Sequence, residues 1–176
     1  VVKSLALLGE GVDVFVGDES QAFVASRLPL MGQFCYGEHE FYVINCHLKS
    51  MSLKNQTKKQ AKKQRNKQSE YIANYIAEHQ LLEQPLCVVG DMNDTFSSKT
   101  VQNIAQLGFK SAHQLLKYQI YTYKYQKKPI LLDYILYNEL FENIDSQIIH
   151  INTDQMSGRS YSDHDPLMML CQICKD

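Results

Sequence analysis

The sequence contains no tryptophan, few cysteines and almost no net charge, and each shortage excludes something. No apolar run approaches the ~20 residues that a bilayer-crossing helix needs. The first residues lack the anatomy of a signal peptide. Five cysteines (Cys35, Cys46, Cys87, Cys171 and Cys174) are too few and too scattered for a disulfide-stapled scaffold. Cys46 and Cys87 lie in apolar, strand-like runs and read as reduced core residues. That is compatible with the cytoplasm, although the sequence assigns no compartment. Cys171 and Cys174 form a CxxC, but two thiols cannot close a tetrahedral zinc site and there is no second pair. With a formal net charge of −1, any positive field must be local.

What is present suits one globular domain over residues 1–176, 44% hydrophobic and 21% charged, read as a monomer. The opening VVKSLALLGEG has no Met and no cap, and reads as the tail of an amphipathic helix (1–9) that began upstream. VDVFV (12–16), QAFVAS (21–26), QFCYG (33–37) and EFYVINCHL (40–48) read as strands punctuated by Gly, Asp and Pro29. Ala61, Gln64, Gln68, Tyr71, Ile72, Tyr75 and Ile76 recur at helical spacing, predicting one long helix from about Lys58 to His79. PLCVVG (85–90) is the next strand, and SSKTVQNIAQLG (97–108) a helix begun by Ser and ended by Gly108. YQIYTYKYQ (118–126) and ILLDYILYN (130–138) read as a hairpin, followed by strands over 146–153 and 165–173. Many strands with few helices indicate an α+β fold with helices packed outside sheets.

The strand ends carry unusual chemistry. EFYVINCHLKS delivers His47 and Lys49, LCVVGDMND delivers Asp91, Asn93 and Asp94, and RSYSDHDPL delivers Asp163, His164 and Asp165. ILLDYILY sets Asp133 between apolar neighbours in mid-strand. An isolated ionised carboxylate there costs several kcal/mol unless it is paired, so Asp133 needs a partner such as His47 or His164. Each feature has a plain alternative: an Asx turn and helix cap at Asp91–Asp94, a satisfied core histidine at His47, a polar turn at SDHDP. Four separate strands that each end in, or carry, such a group would require every plain alternative to hold independently.

The ordered set NCHLKS, VVGDMNDTFSS, LLDYIL and SDHDPL, with ASRLPL (25–30) before it, resembles the motifs of the endonuclease/exonuclease/phosphatase superfamily, the deoxyribonuclease I-like fold. The resemblance spans residues 22 to 168 and implies a four-layer α/β/β/α sandwich of two mostly antiparallel sheets. It implies a phosphoesterase dependent on Mg2+ or Mn2+. Carried over, it makes Asp91 the group that activates or orients water, Asn93 a holder of phosphate or water, and His164 a phosphate or acid–base group. It makes Asp133 the partner of a histidine, His47 a hydrogen-bond donor to phosphate, Asp163 and Asp91 metal ligands, and Lys49 a rim contact. Members also carry a metal-binding Glu on their first strands. This chain opens just after its expected place, which puts the principal ligand and the first strand or strands upstream of Val1.

Eight of the eighteen basic residues fall between Lys49 and Lys67, immediately after the His47 motif. They read as a phosphate-tracking surface containing Lys58, Lys59 and Lys62, the plain alternative being a solvated helix face. Tyr121, Tyr123 and Tyr125 offer stacking surface or simple packing. The expected substrate is therefore nucleic acid. The alternatives are inositol phosphates or sphingomyelin, or a non-catalytic member of the fold that binds nucleic acid or another partner. The lack of tryptophan argues mildly against a lipid.

Overall fold

Side chains alternating along three adjacent strands, β3 (His39–His47), β4 (Leu86–Asp91) and β8 (Asp133–Tyr137), set the layers. Ile44, Cys46, Leu86, Val88, Tyr134 and Leu136 are buried in one cluster with Ile72 and Ile76 of helix α1 (Lys58–Glu78) and Val101 and Ile104 of α2 (Lys99–Ala105). The intervening residues, among them Cys87, Val89, Ile135 and Tyr137, pack with Phe141, Ile144, Met169 and Cys171 of a second sheet. Burial on both faces explains why LCVVG reads as a continuous apolar run.

This computed structural model describes residues 1–7, 22–23, 26–51, 57–154 and 161–174, so the strand expected over 12–16 lies outside it. With β1 (Val2–Leu7), β2 (Leu30–Tyr36) and β5 (Lys110–Ser111), the main sheet has the order β1-β2-β3-β4-β8-β5. Only its β3–β4 pair is parallel, and α1 provides the crossover that a parallel pair requires. The second sheet pairs β9 (Phe141–Ile148) with β10 (Leu167–Ile173), and β6 (Tyr123–Tyr125) forms a separate hairpin with β7 (Lys128–Ile130). The expected α+β class with mostly antiparallel sheets is observed, layered as helices, six-stranded sheet and two-stranded sheet among the described residues.

Helix α1 starts with a capping box: Gln60 N–H donates to Thr57 Oγ1 at 3.2 Å and Thr57 N–H donates to Gln60 Oε1 at 2.8 Å. Its 21 residues extend ~31 Å, longer than the ~20 Å of β4 beside it. The C-terminal half carries the buried Ile72, Ala73 and Ile76, while Lys58, Lys59 and Lys62 are exposed on the first turns.

Four sequence expectations are corrected. Residues 2–7 are not a helix tail but an edge strand, because pairing with β2 offers their backbone a ladder. Ala22 and Phe23 form a turn rather than a strand, with Ser26 N–H bonded to Phe23 O, and 24–25 lie outside the described residues. The run 130–138 divides: Lys128–Ile130 closes the hairpin, whereas Asp133 is the first residue of β8, not its middle, and pairs with β4 in the main sheet. Finally, the strand expected over 146–153 is β9, which starts at Phe141 and stops at Ile148.

Gly90 sits in the left-handed region at φ +119°, and a Cβ there would lie 2.0 Å from the Cys46 carbonyl oxygen. Gly90→Ala is expected to cost about 3 kcal/mol or more, combining backbone strain with overpacking. A denaturant midpoint unchanged from the wild type would refute this close-approach account.

His113 is flanked edge-on by Phe96 and Tyr134, with ring centroids 4.6 and 5.6 Å away. Burial holds its imidazole below the usual range, so the unfolded chain binds its proton more readily than the folded one. Its contribution is therefore complete above the unfolded value, about 6.5, and is lost as pH falls below it. Between pH 7.5 and 5.5 the melting temperature of the wild type should drop further than that of His113→Asn; parallel curves would overturn the assignment.

Candidate active site

Register brings the strand-end residues together. His47 of β3 is the Cα partner of Asp91 of β4, and Asp91 is in turn the partner of Asp133 of β8. The three form one row across adjacent strands, spaced by ~4.8 Å, and share the face that further along is apolar and covered by the second sheet. His164, just before β10, completes the group: its Nδ1 lies 2.6 Å from Asp133 Oδ2. Asp91, Asp133 and His164 each offer a ligand atom, all within 4.8 Å of one another.

The environments of the two histidines diverge. Arg27 Nη1 stands 3.0 Å from His47 Nδ1. A guanidinium can only donate, so Nδ1 accepts and the His47 proton belongs on Nε2, which lies 3.7 Å from Asp91 Oδ2. Burial, then the charges of Arg27 and His164, hold His47 below its usual range. His164 is pushed the other way, chiefly by its hydrogen bond to Asp133. One imidazole is thus a neutral Nε2–H donor. The other favours its cation, with no protein partner for Nε2 among the described residues.

Asp91 is raised to about 6, first by burial and then by the neighbouring Asp133 charge. Its carboxylate is held from one side: Asn93 N–H donates to Oδ1 at 2.7 Å, and Asn93 Nδ2–H to Oδ2 at 2.9 Å. The second Nδ2–H reaches the Leu48 carbonyl at 3.1 Å. Asn93 is buried at φ +49°, so the Asx turn considered from sequence is present, and it serves to aim the carboxylate. Both Nδ2 hydrogens are occupied in this way, leaving the amide Oδ1 as the group with which Asn93 could meet a ligand.

Asp94, quoted from sequence beside Asp91, turns away from the row. It receives Arg65 Nε at 3.2 Å and Thr100 Oγ1 at 2.9 Å, joining α1 and α2 to the end of β4. The nearly buried Arg65 also donates to the Lys49 carbonyl at 3.2 Å, and Lys49 N–H donates to Gln68 Oε1 at 2.8 Å. Lys49 therefore lies at the rim, two residues beyond His47. Lys58, Lys59 and Lys62 stay outside the cluster, about one to two turns N-terminal to Arg65 on exposed helix. Asp163 is exposed, and its charge is felt by His47, Asp91 and His164. Of the three tyrosines, Tyr123 packs on the His164 ring at 4.8 Å, Tyr121 stacks on His150 at 4.2 Å, and Tyr125 is exposed.

Sequence reasoning omitted Arg27 and Asp165 as site residues. Arg27 was within reach, since ASRLPL was already among the motifs. Asp165 is buried, and its carboxylate takes hydrogen bonds from His150 Nδ1 and Asn152 N–H, both at 2.8 Å. The only signal for that was its place after His164 in SDHDP.

No protein-family model and no curated protein matches the chain. Solved structures do. An endonuclease/exonuclease/phosphatase from Bacteroides vulgatus is 17% identical, with TM-score 0.61, over 84% of this chain and 56% of that one. The human Nocturnin catalytic domain, with bound sulfate anion, is 18% identical, with TM-score 0.61, over 97% and 60%. Sphingomyelinase C from Streptomyces griseocarneus is 15% identical, with TM-score 0.60, over 81% and 56%. The chain thus spans little more than half the length of these structures. Likeness at such identities carries the fold alone, and that is the deoxyribonuclease I-like fold expected from the strand-end motifs.

Proposed function

We propose that the protein carrying this chain is a divalent-metal-dependent phosphodiesterase that hydrolyses nucleic acid with an activated water. The observation that carries the reading is the registered row His47–Asp91–Asp133 with His164 docked on Asp133. A packed core gains nothing from two carboxylates side by side, one of them raised to about 6, unless a positive group comes between them.

The donor set of Asp91, Asp133 and His164, with two carboxylates on one face and the Asp163 charge felt by the group, fits a hard cation such as Mg2+ or Mn2+. Held by Asp91 and Asp133, such an ion would supply charge neutralisation at the phosphoryl oxygens. The chain's own groups do the remainder. Asp91, aimed by Asn93, orients the attacking water and accepts its proton as the water oxygen attacks phosphorus, while the ester P–O bond breaks and the leaving oxygen takes a proton from the His164 cation. His164 Nε2–H and His47 Nε2–H donate to the phosphoryl oxygens where charge develops. Asp133 holds His164 in the Nδ1–H tautomer and favours its cation.

A nucleic-acid substrate is supported by where the charges lie. Lys49 and the basic start of α1 adjoin the end of β3 that bears His47, whereas Glu38, Glu40, Glu83 and Glu139 lie near the opposite ends of β3, β4 and β8. A polyanion is then drawn toward the His47 end of the sheet.

On the full protein, chelation should abolish hydrolysis of DNA, RNA or bis-p-nitrophenyl phosphate, and Mg2+ or Mn2+ should restore it. Asp91→Asn and His164→Gln should each lower kcat by about 100-fold or more. Nucleic-acid binding without hydrolysis under every metal condition would favour a non-catalytic role, and turnover confined to inositol phosphates or sphingomyelin would reassign the substrate.

The Lys58→Gln/Lys59→Gln/Lys62→Gln variant should bind nucleic acid more weakly, with a salt slope shallower by about 2–3. Its kcat on bis-p-nitrophenyl phosphate should stay unchanged. A wild-type salt response in the variant would return those lysines to a solvated face.

A further inference from the structure

Asp133 and His164 meet side chain to side chain, yet they belong to different parts of the fold. Asp133 opens β8 in the six-stranded sheet, and His164 stands just before β10 in the two-stranded one. A carboxylate–imidazole contact does not by itself set the distance between two backbones, so something must join the segments that carry them.

Thr122 does so. It is fully buried, and its N, O and Oγ1 atoms each meet a partner in or beside these two segments. Its Oγ1 accepts from the N–H groups of Leu132 and Asp133, each at 3.2 Å. Its carbonyl accepts from Asp165 N–H at 2.7 Å, and its own N–H donates to Ile130 O at 3.1 Å. One residue therefore holds the amide of Asp133 with its side chain and the amide next to His164 with its backbone.

The His164 side of the junction is equally constrained. The Asp165 carboxylate, buried at 2% exposure, takes the N–H groups of Asn152 and Thr153 at 2.8 and 3.0 Å and His150 Nδ1 at 2.8 Å. Asn152 Nδ2–H in turn donates to the His164 carbonyl at 2.6 Å. Tyr123, the residue after Thr122, forms a β-bridge with His164 and lies against its ring.

We propose that Thr122 is a positioning residue, a buried hydroxyl-and-carbonyl clamp that sets the Asp133–His164 geometry. A packing role would need only the volume of the side chain, which valine reproduces. A clamp needs the oxygen, which serine keeps and valine lacks. The kinetic consequence rests on the hydrolytic reading above, but the geometric one does not.

The test compares Thr122→Val and Thr122→Ser with the wild-type protein in three measurements. Proton NMR should show a downfield His164 Nδ1–H resonance, the signature of a proton held between imidazole and carboxylate, assigned by its loss in Asp133→Asn. That resonance should persist in the wild type and the serine variant and vanish or broaden in the valine variant. With bis-p-nitrophenyl phosphate and Mg2+, the valine variant should lose about 10–100-fold in kcat, as loss of a residue supporting a site typically does, with KM nearly unchanged and serine restoring most of the rate. In the wild type alone, hydrogen exchange at the Leu132, Asp133 and Asp165 amides should be slow, so the clamp is tested even if the valine variant does not fold.

A valine variant with the wild-type resonance and kcat would overturn the proposal, as would an Asp133 amide exchanging as fast as the exposed loops. A wild-type protein inert to phosphodiesters would sink the hydrolytic reading and leave the clamp to be decided by resonance and exchange.

Discussion

Everything in the site depends on the register of three strands. Parallel pairing of β3 with β4 and antiparallel pairing of β4 with β8 place His47, Asp91 and Asp133 at the same level of the sheet and on the same face. Strand side chains alternate with a period of two, so a slip of one residue in either pairing would turn part of the row into the helix-covered layer. The register is held by apolar residues far from the chemistry. Ile44, Val88 and Leu136 are completely buried under α1 and α2, and Cys87 and Tyr137 are buried against the second sheet. Packing energy thus maintains an arrangement of charges that would repel one another if left unsupported.

Electrostatics within the row follow from that crowding. Asp91 is pushed up to about 6 by burial and by Asp133, while Asp133 in turn raises His164. Arg27 denies His47 a proton on Nδ1, and the two imidazoles of the site are shifted in opposite directions. The polar end of the sheet is further secured by Arg65, which ties Asp94 to the Lys49 backbone, so the His47 and Asp91 segments are linked through α1 as well as by pairing.

Much of this was legible in the linear chain. VVGDMND reads as a buried strand ending in oxygen, and it is β4 with Asp91 at its last position. The long helix was placed correctly to within one residue because its buried positions recur at helical spacing over about four turns. His47, Asp91, Asn93, Asp133 and His164 all converge. Where the reading failed, local pattern was outweighed by pairing. VVKSLALL suits an amphipathic helix or an edge strand, and β2 decided the matter. The apolar run 130–138 looks uninterrupted, yet it serves two different sheets, and the division falls where Thr122 holds Leu132 and Asp133.

The sequence alone determined which residues could do chemistry and that, Asp133 apart, each would stand at or near a strand terminus. Both follow from local rules, namely residue type, apolar periodicity and the punctuation of Gly, Asp and Pro. Only the tertiary structure decided which partner each one takes. Asp133 belongs to His164 rather than His47, Asp94 to Arg65 rather than the row, and Arg27 to His47. Those pairings join residues 20 to 31 positions apart, and their distances depend on strand order and register, which no local pattern encodes.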